Sequence, residues 1–262
     1  MTMKTKSTLI LAAVASLAAA GGALAQTKAP EPDYTLAFNA GLVSDYRYRG
    51  ISQSRLKPAL QGGVDFAHKS GFYLGAWASN VDWVKDFNLA TKGGYELDLY
   101  GGFKGAITDD FGFDVGVINY RYPGNNSGAA GTPGAGLFSN ANTVELYGAL
   151  SYKMVSLKYS RASGDFLGNL NSSGSSYWDL SANFDLGSGF TLTPHIGHQK
   201  VSNLSVANYT DYALTLGKDF GNGLTASLAA TGTNTTRGGF YTDVNGKFLG
   251  KSALVLGLKY SF

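Results

Sequence analysis

Apolar residues recur at every second position over most of this chain, and that period admits only extended strands with two unlike faces. The final stretch, Ser252–Phe262, shows it plainly. Leu254, Leu256, Leu258, Tyr260 and Phe262 alternate with Val255, Gly257, Lys259 and Ser261. Ser176–Leu186 repeats the pattern, with Trp178, Leu180, Ala182 and Phe184 opposing Tyr177, Asp179, Ser181, Asn183 and Asp185. A fully patterned last strand has two hydrogen-bonding edges to satisfy. A soluble sandwich can end on such a strand, but closing a barrel satisfies both edges at once.

Taken in order, the alternation predicts twelve strands: Tyr34–Tyr48, Leu56–Ala67, Phe72–Val81, Tyr95–Lys104, Phe111–Tyr122, Thr143–Tyr152, Val155–Ala162, Ser176–Leu186, Phe190–Val201, Tyr209–Phe220, Leu224–Thr233 and Ser252–Phe262. The connections alternate as well. After even strands they are short, as at His68–Gly71, Lys153-Met154, Gly187-Ser188-Gly189 and Gly221-Asn222-Gly223, which is hairpin-turn chemistry. After odd strands they are longer and polar, as at Asp82–Gly94, Pro123–Asn142, Ser163–Gly174 and Asn234–Gly250. A sandwich has no reason to gather its long loops at one end. A membrane barrel does, with short periplasmic turns and long outer loops. The predicted fold is therefore all-β, a transmembrane antiparallel up-and-down barrel of about twelve strands.

Aromatic residues make an independent regularity. Phe66 and Phe72, Phe103 and Phe111, and Phe184 and Phe190 bracket short connections, and Tyr152, Phe220 and Phe262 join them at the same end. This is the expected girdle at lipid headgroup level, whereas rings that only filled a core would scatter along the strands. Tyr46, Tyr48 and Trp178 are predicted at the opposite rim. The 36 Gly, 16 Tyr and 15 Phe, with mean hydropathy of −0.06, suit strands that are greasy on one face and polar on the other.

Residues 1–25 read as a secretory signal peptide. Lys4 and Lys6 form the positive start, Leu9–Ala20 the apolar stretch and Ala23-Leu24-Ala25 the cleavage pattern. Residues 26–33 are a short periplasmic leader and 34–262 the barrel. Ala25 is not followed by Cys and the chain has none, so neither a lipoprotein anchor nor a disulfide is expected. No further run of 18 apolar residues predicts a transmembrane helix. Without Lys4 and Lys6 the formal charge falls from +3 towards neutrality, so charge points to no nucleic-acid partner.

Several ordered segments carry a family resemblance: Ser44–Ser54 (SDYRYRGISQS), Pro58–Asp65 (PALQGGVD), Ser70–Asp82 (SGFYLGAWASNVD), Glu96–Tyr100 (ELDLY), Asp114–Gly124 (DVGVINYRYPG) and Val144–Tyr147 (VELY). They resemble the TorF family of proteobacterial outer-membrane proteins, described as porins. The match is dense in the first half and mainly one of strand rhythm in the second. It implies an outer-membrane barrel of a Gram-negative bacterium, with no settled substrate and no catalytic residues. The closing strand also resembles the C-terminal signal of bacterial outer-membrane barrels. That resemblance implies that Leu256, Leu258, Tyr260 and Phe262 form a handle for the barrel-assembly machinery.

If apolar positions face lipid, the alternate positions line the lumen. The first two strands then bring Arg47, Arg49, Arg55 and Lys57 to its outer end. Later strands bring Glu96, Asp98, Glu145, Asp179 and Asp211 to the same level. A basic arc facing an acidic arc sets a transverse field that filters ions and orients dipolar solutes. The predicted constriction sets Arg47 and Arg49 against Glu96, Asp98 and Glu145. Direct pairing of the same charges would instead plug the lumen.

The leading function is passive diffusion of small polar solutes or ions. The alternative is a closed structural or adhesive barrel acting through its loops, where Trp83, Phe87, Leu137 and Phe138 are apolar enough to fold into the mouth. A barrel-embedded lipid hydrolase would need His195 beside a serine and an aspartate, and no motif supports it. His195 and His198 are three apart in a strand, so they point to opposite faces and make a poor metal pair. No enzyme activity, cofactor or metal is expected. The expected partners are outer-membrane lipid and lipopolysaccharide, the assembly machinery and the solutes. Association between barrels is left open.

Overall fold

The computed structural model describes residues 32–262. The predicted signal peptide and most of the leader lie outside the described residues. Twelve antiparallel strands close into one barrel. In chain order the elements are β1 (Tyr34–Val43), a small separate hairpin of β2 (Arg47–Tyr48) and β3 (Ile51–Ser52), β4 (Ala59–His68), β5 (Phe72–Asn80), one helical turn α1 (Trp83–Asp86), β6 (Tyr95–Ala106), β7 (Phe111–Arg121), β8 (Thr143–Tyr152) and β9 (Val155–Ala162). There follow β10 (Ser176–Ala182), β11 (Phe184–Gly187), β12 (Phe190–Lys200), β13 (Tyr209–Asp219), β14 (Leu224–Thr233) and β15 (Ala253–Ser261). β10 and β11 act as one wall strand interrupted at Asn183, since both pair with β12.

Closure is made by β1 and β15, in register from Asn39 opposite Ser261 to Val43 opposite Gly257. The Phe38 and Phe262 backbones exchange hydrogen bonds of 2.9 Å in both directions. The alternation then decides the two faces. Leu60 is 70% exposed, Leu254 69% and Leu256 61%, with rows of leucine, valine and aromatic side chains around the outer wall. That is far more contiguous apolar surface than a soluble monomer presents. Inside, lumenal glycines make room for tyrosine rings of the neighbouring strand: Gly75 lies beneath Tyr100, Gly116 beneath Tyr147 and Gly197 beneath Tyr177. Filling a glycine notch with a cross-strand ring also shields the backbone there.

The first strand ends at Val43, not at Tyr48 as the alternation predicted. Ser44 stops the ladder by accepting the Leu256 N–H on its hydroxyl at 2.9 Å. Asp45 then gathers the hydroxyls of Ser52 at 2.5 Å and Ser54 at 3.3 Å, which turns the chain into the lumen. Arg49 and Gly50, at φ of 49° and 79°, form the two-residue turn of the β2–β3 hairpin. Two positive φ values match the right-handed twist of tight hairpins. The second wall strand starts at Ala59 rather than Leu56, because Arg55 and Leu56 both take positive φ and Pro58 has no N–H for the ladder. Tyr46 and Tyr48, predicted at the outer rim, are therefore inside the barrel.

The buried apolar residues gather in a cap across the long-loop mouth. One cluster joins Val81, Trp83, Val84, Tyr120 and Tyr122, with Tyr46, Tyr48 and Phe87 against it. A second joins Ala162, Phe166, Val201 and Ala207, with Phe240 and Tyr241 against it. Phe87 meets Phe240 edge-on at 5.1 Å and Phe138 at 6.1 Å. Leu137, by contrast, is 62% exposed and stays out of the mouth. The inward hairpin is stitched to this cap. The Gln53 carbonyl accepts the N–H groups of Asp82 and Trp83, and the Ser52 N–H donates to the Leu249 carbonyl.

Candidate functional site in the lumen

Arg49 crosses the lumen. Its Nη2 donates to Glu145 Oε2 on β8 and its Nη1 to Gln199 Oε1 on β12, both at 2.6 Å. The guanidinium lies 4.1 Å from the Tyr177 ring centre and 4.6 Å from that of Tyr48. The Arg49 side chain is only 7% exposed and that of Glu145 1%. A planar guanidinium suits this place because it can hold two acceptors in its plane while stacking on both faces. Tyr120 adds a longer contact to Glu145 Oε2 at 3.4 Å. Glu145 Oε1 has no partner among the described residues, nor does the buried Asp98 Oδ1.

The other predicted charges are spread over different contacts. Arg47 donates through Nε to its near neighbour Asp45 at 2.8 Å, and through Nη1 to the carbonyls of Gly50 and Lys251. It does not face Glu96 or Asp98. Glu96 instead accepts the Tyr46 hydroxyl at 2.7 Å. Burial, followed by the charges of Glu96 and Asp98, pushes that hydroxyl well above the ordinary tyrosine range, so it stays a donor. Arg55 and Lys57 are not on a lumenal strand. They lie in the mouth, where Arg55 Nε reaches Asp243 at 2.9 Å and Asp86 at 3.3 Å, and Lys57 Nζ is 3.8 Å from Asp82. Of the predicted facing arcs, the structure brings Arg49 and Glu145 together directly. Arg47, Arg55 and Lys57 take partners from the loops instead.

Asp179 and Asp211 converge on His195. Its Nε2 is 2.8 Å from Asp211 and its Nδ1 3.3 Å from Asp179. Tyr177 donates to Asp211 at 3.0 Å. Both ring nitrogens face carboxylates, which leaves neither free to take a proton from a serine, as a hydrolytic triad requires. His198 faces outward and shares a hydrogen bond with Thr210. Asp179 and Asp211 sit on opposite ring nitrogens of His195, and among the described residues no group of three or more His, Asp or Glu is arranged to hold a metal ion.

Beneath the hairpin lies a cavity of about 540 Å³, walled by Trp77, Tyr120, Lys158, Asp179, His195 and Asp211, with Arg47 and Arg49 at its roof. Lys158 Nζ stands 3.8 Å over the Tyr147 ring. Gln199, Tyr177, Trp77, Lys158 and Tyr46 were not among the predicted site residues. Strand parity alone would have put the first four in the lumen. Tyr46 could not be read that way, because its placement depends on the inward turn at Ser44.

On the outer face, at the short-turn end, Phe72, Phe103, Phe111, Tyr152, Phe184, Phe190, Phe220 and Phe262 are between 39% and 58% exposed. Phe66 stacks on Tyr34 at 5.7 Å. Leu256, Leu258 and Tyr260 of β15 point outward in line with Phe262, which follows the end of the strand and stacks on Phe38 at 6.0 Å.

Solved structures of similar architecture are porins. The chain superposes on the KdgM porin in complex with disordered oligogalacturonate with a TM-score of 0.54 at 7% identity, covering 87% of this chain and 98% of that one. It superposes on the NanC porin with a TM-score of 0.52 at 14% identity, covering 87% and 99%. At these identities the likeness is one of fold. No curated protein matches the sequence. A family model matches residues 27–262, and the chain belongs to that family, the bacterial proteins of unknown function called Gcw_chp.

Proposed function

We propose that the protein is an outer-membrane porin-like channel of a Gram-negative bacterium, for passive diffusion of small polar solutes or ions. The observation that carries this reading is a closed barrel with an apolar outer wall around a charged cavity of about 540 Å³. Strands can leave large apolar side chains outward in such rows only where lipid, not water, covers them. In this reading the constriction is the crossbar of Arg49, Glu145 and Gln199 on the inward hairpin, with Glu96 and Asp98 beside Tyr46 and the His195 pairs below it. The girdle from Phe66 to Phe262 marks the periplasmic interface. Leu256, Leu258, Tyr260 and Phe262 serve insertion by the assembly machinery. Kinship with TorF-family proteins through Ser44–Ser54 belongs to the same proposal, and no catalysis does.

A second reading is supported by the cap. The long loops bury Trp83, Val84 and Tyr122 over the mouth, which suits a closed barrel that acts through its outer surface. Single-channel recording of purified protein in planar bilayers separates the two. Discrete conductance steps, with heat-modifiable migration on gels, are expected for the channel. A correctly folded barrel without conductance would refute it and leave the closed reading. Oligogalacturonate, named with one structural neighbour, is one solute to test for blocking current.

A further inference from the structure

The outward face of the wall carries two cations set as a pair. In register, Arg161 on β9 lies beside Ser176 on β10, and Ser176 beside Lys200 on β12. Neighbouring strands are about 4.8 Å apart, so the two basic residues bracket Ser176 at about 10 Å. Trp178 and Leu180, which share the parity of Ser176, are 49% and 45% exposed, so the row faces outward. It lies at the long-loop end, since residues 163–175 join β9 to β10.

The rows beneath it form an ordered sequence. Next below come Tyr159, Trp178 and His198, with the first two rings 4.6 Å apart. Below them come Leu157, Leu180 and Ile196. Cations over aromatics over aliphatics is the depth profile of phosphate, interface and acyl chain in a leaflet. No acidic side chain of the wall answers the two cations. Asp179, the one carboxylate on β9, β10 or β12, turns inward to His195. Asp165, in the loop above, is taken by Ser139 and Ser172. Neither Arg161 nor Lys200 has an ion pair among the described residues. Arg161 also lies against the loop backbone: a Cβ at Gly174 would sit 2.8 Å from its Nη2.

We propose that Arg161, Ser176 and Lys200 clamp a phosphate of outer-leaflet lipopolysaccharide, with its acyl chains lying along Tyr159, Trp178 and the leucines beneath. Two cations flanking a hydroxyl offer charge-assisted hydrogen bonds from three sides of one phosphate. The inference rests on the outer-membrane reading above.

The test is binding of lipopolysaccharide to the purified barrel in neutral detergent, read by thermophoresis. Arg161→Ala with Lys200→Ala is expected to weaken binding about tenfold or more. Arg161→Lys keeps most of it, and dephosphorylated lipid binds native barrel as weakly as intact lipid binds the double variant. Equal affinity of the double variant and the native chain overturns the clamp. Full competition by millimolar inorganic phosphate would reassign the site to free phosphate and overturn the lipid. Both side chains face away from the lumen, so heat-modifiable migration verifies that the variants fold. A native chain that does not insert into vesicles would refute the outer-membrane reading itself, whereas an inserted barrel with unchanged affinity refutes only the clamp.

Discussion

Replacing Arg49 with alanine removes the group that ties the inward hairpin to both sides of the lumen. It strands Glu145, which is 1% exposed and already has one oxygen without a partner. Removing one member of a buried pair costs about 3–5 kcal/mol, because the remaining charge stays in a poor solvent. Lost stacking on Tyr48 and Tyr177 acts in the same direction, though such terms do not add simply. None of the wall ladder runs through Arg49, so the loss falls on docking of the hairpin, not on the barrel. At about 1.4 kcal/mol per factor of ten, the ratio of docked to undocked hairpin falls by about a hundredfold to a few thousandfold. Two readouts follow. Trypsin added from the long-loop side should cleave at Arg47 or Arg55, and unitary conductance should rise and become noisier. Glu145→Gln should give a milder version, and adding it to Arg49→Ala should recover part of the loss, since it removes the stranded charge. An Arg49→Ala protein with native conductance and native protease resistance would sink the crossbar.

Other perturbations address the turn, the wall and the cavity. Gly50→Val forces a β-branched residue into φ of 79°, with its Cβ 2.8 Å from both Asp211 and Thr233; hairpin docking should weaken by about 2 kcal/mol or more, read as new trypsin sensitivity. Leu256→Arg puts a charge on the outward face near the middle of β15, and folding into bilayers should lose about 2–4 kcal/mol in urea titrations; no loss would argue against lipid on that face. His195→Ala removes the donor shared by Asp179 and Asp211. The reversal potential across a potassium chloride gradient should move towards cation preference, and an unmoved potential would remove this cluster from the permeation path.

Much of the wall was legible residue by residue. Leu254 to Phe262, Trp178 to Phe184 and the short turns at Lys153 and Gly221 read as strands and hairpins because each follows a local rule of period or turn chemistry. The lumenal side of Glu145, Asp179, Asp211 and His195 followed from parity alone. The stretch from Ser44 to Pro58 did not. Its residues alternate well enough to pass as strand, yet Asp45 finds Ser52 and Ser54, and Ser44 takes an N–H from a residue more than two hundred positions away. No local pattern encodes that competition. The partners of Arg55 and Lys57 were hidden for the same reason, since Asp82, Asp86 and Asp243 lie on loops whose conformations depend on one another.

The sequence by itself determined the class of fold, the strand count, which face of each strand is apolar and which end carries the long loops, because these depend on periods of two and on turn residues a few positions apart. Only the tertiary structure decided that the first loop turns inward, that Arg49 bridges Glu145 and Gln199, and that the mouth is capped. Those outcomes rest on contacts between residues far apart in the chain, where burial makes each polar group choose one partner over the water it gives up.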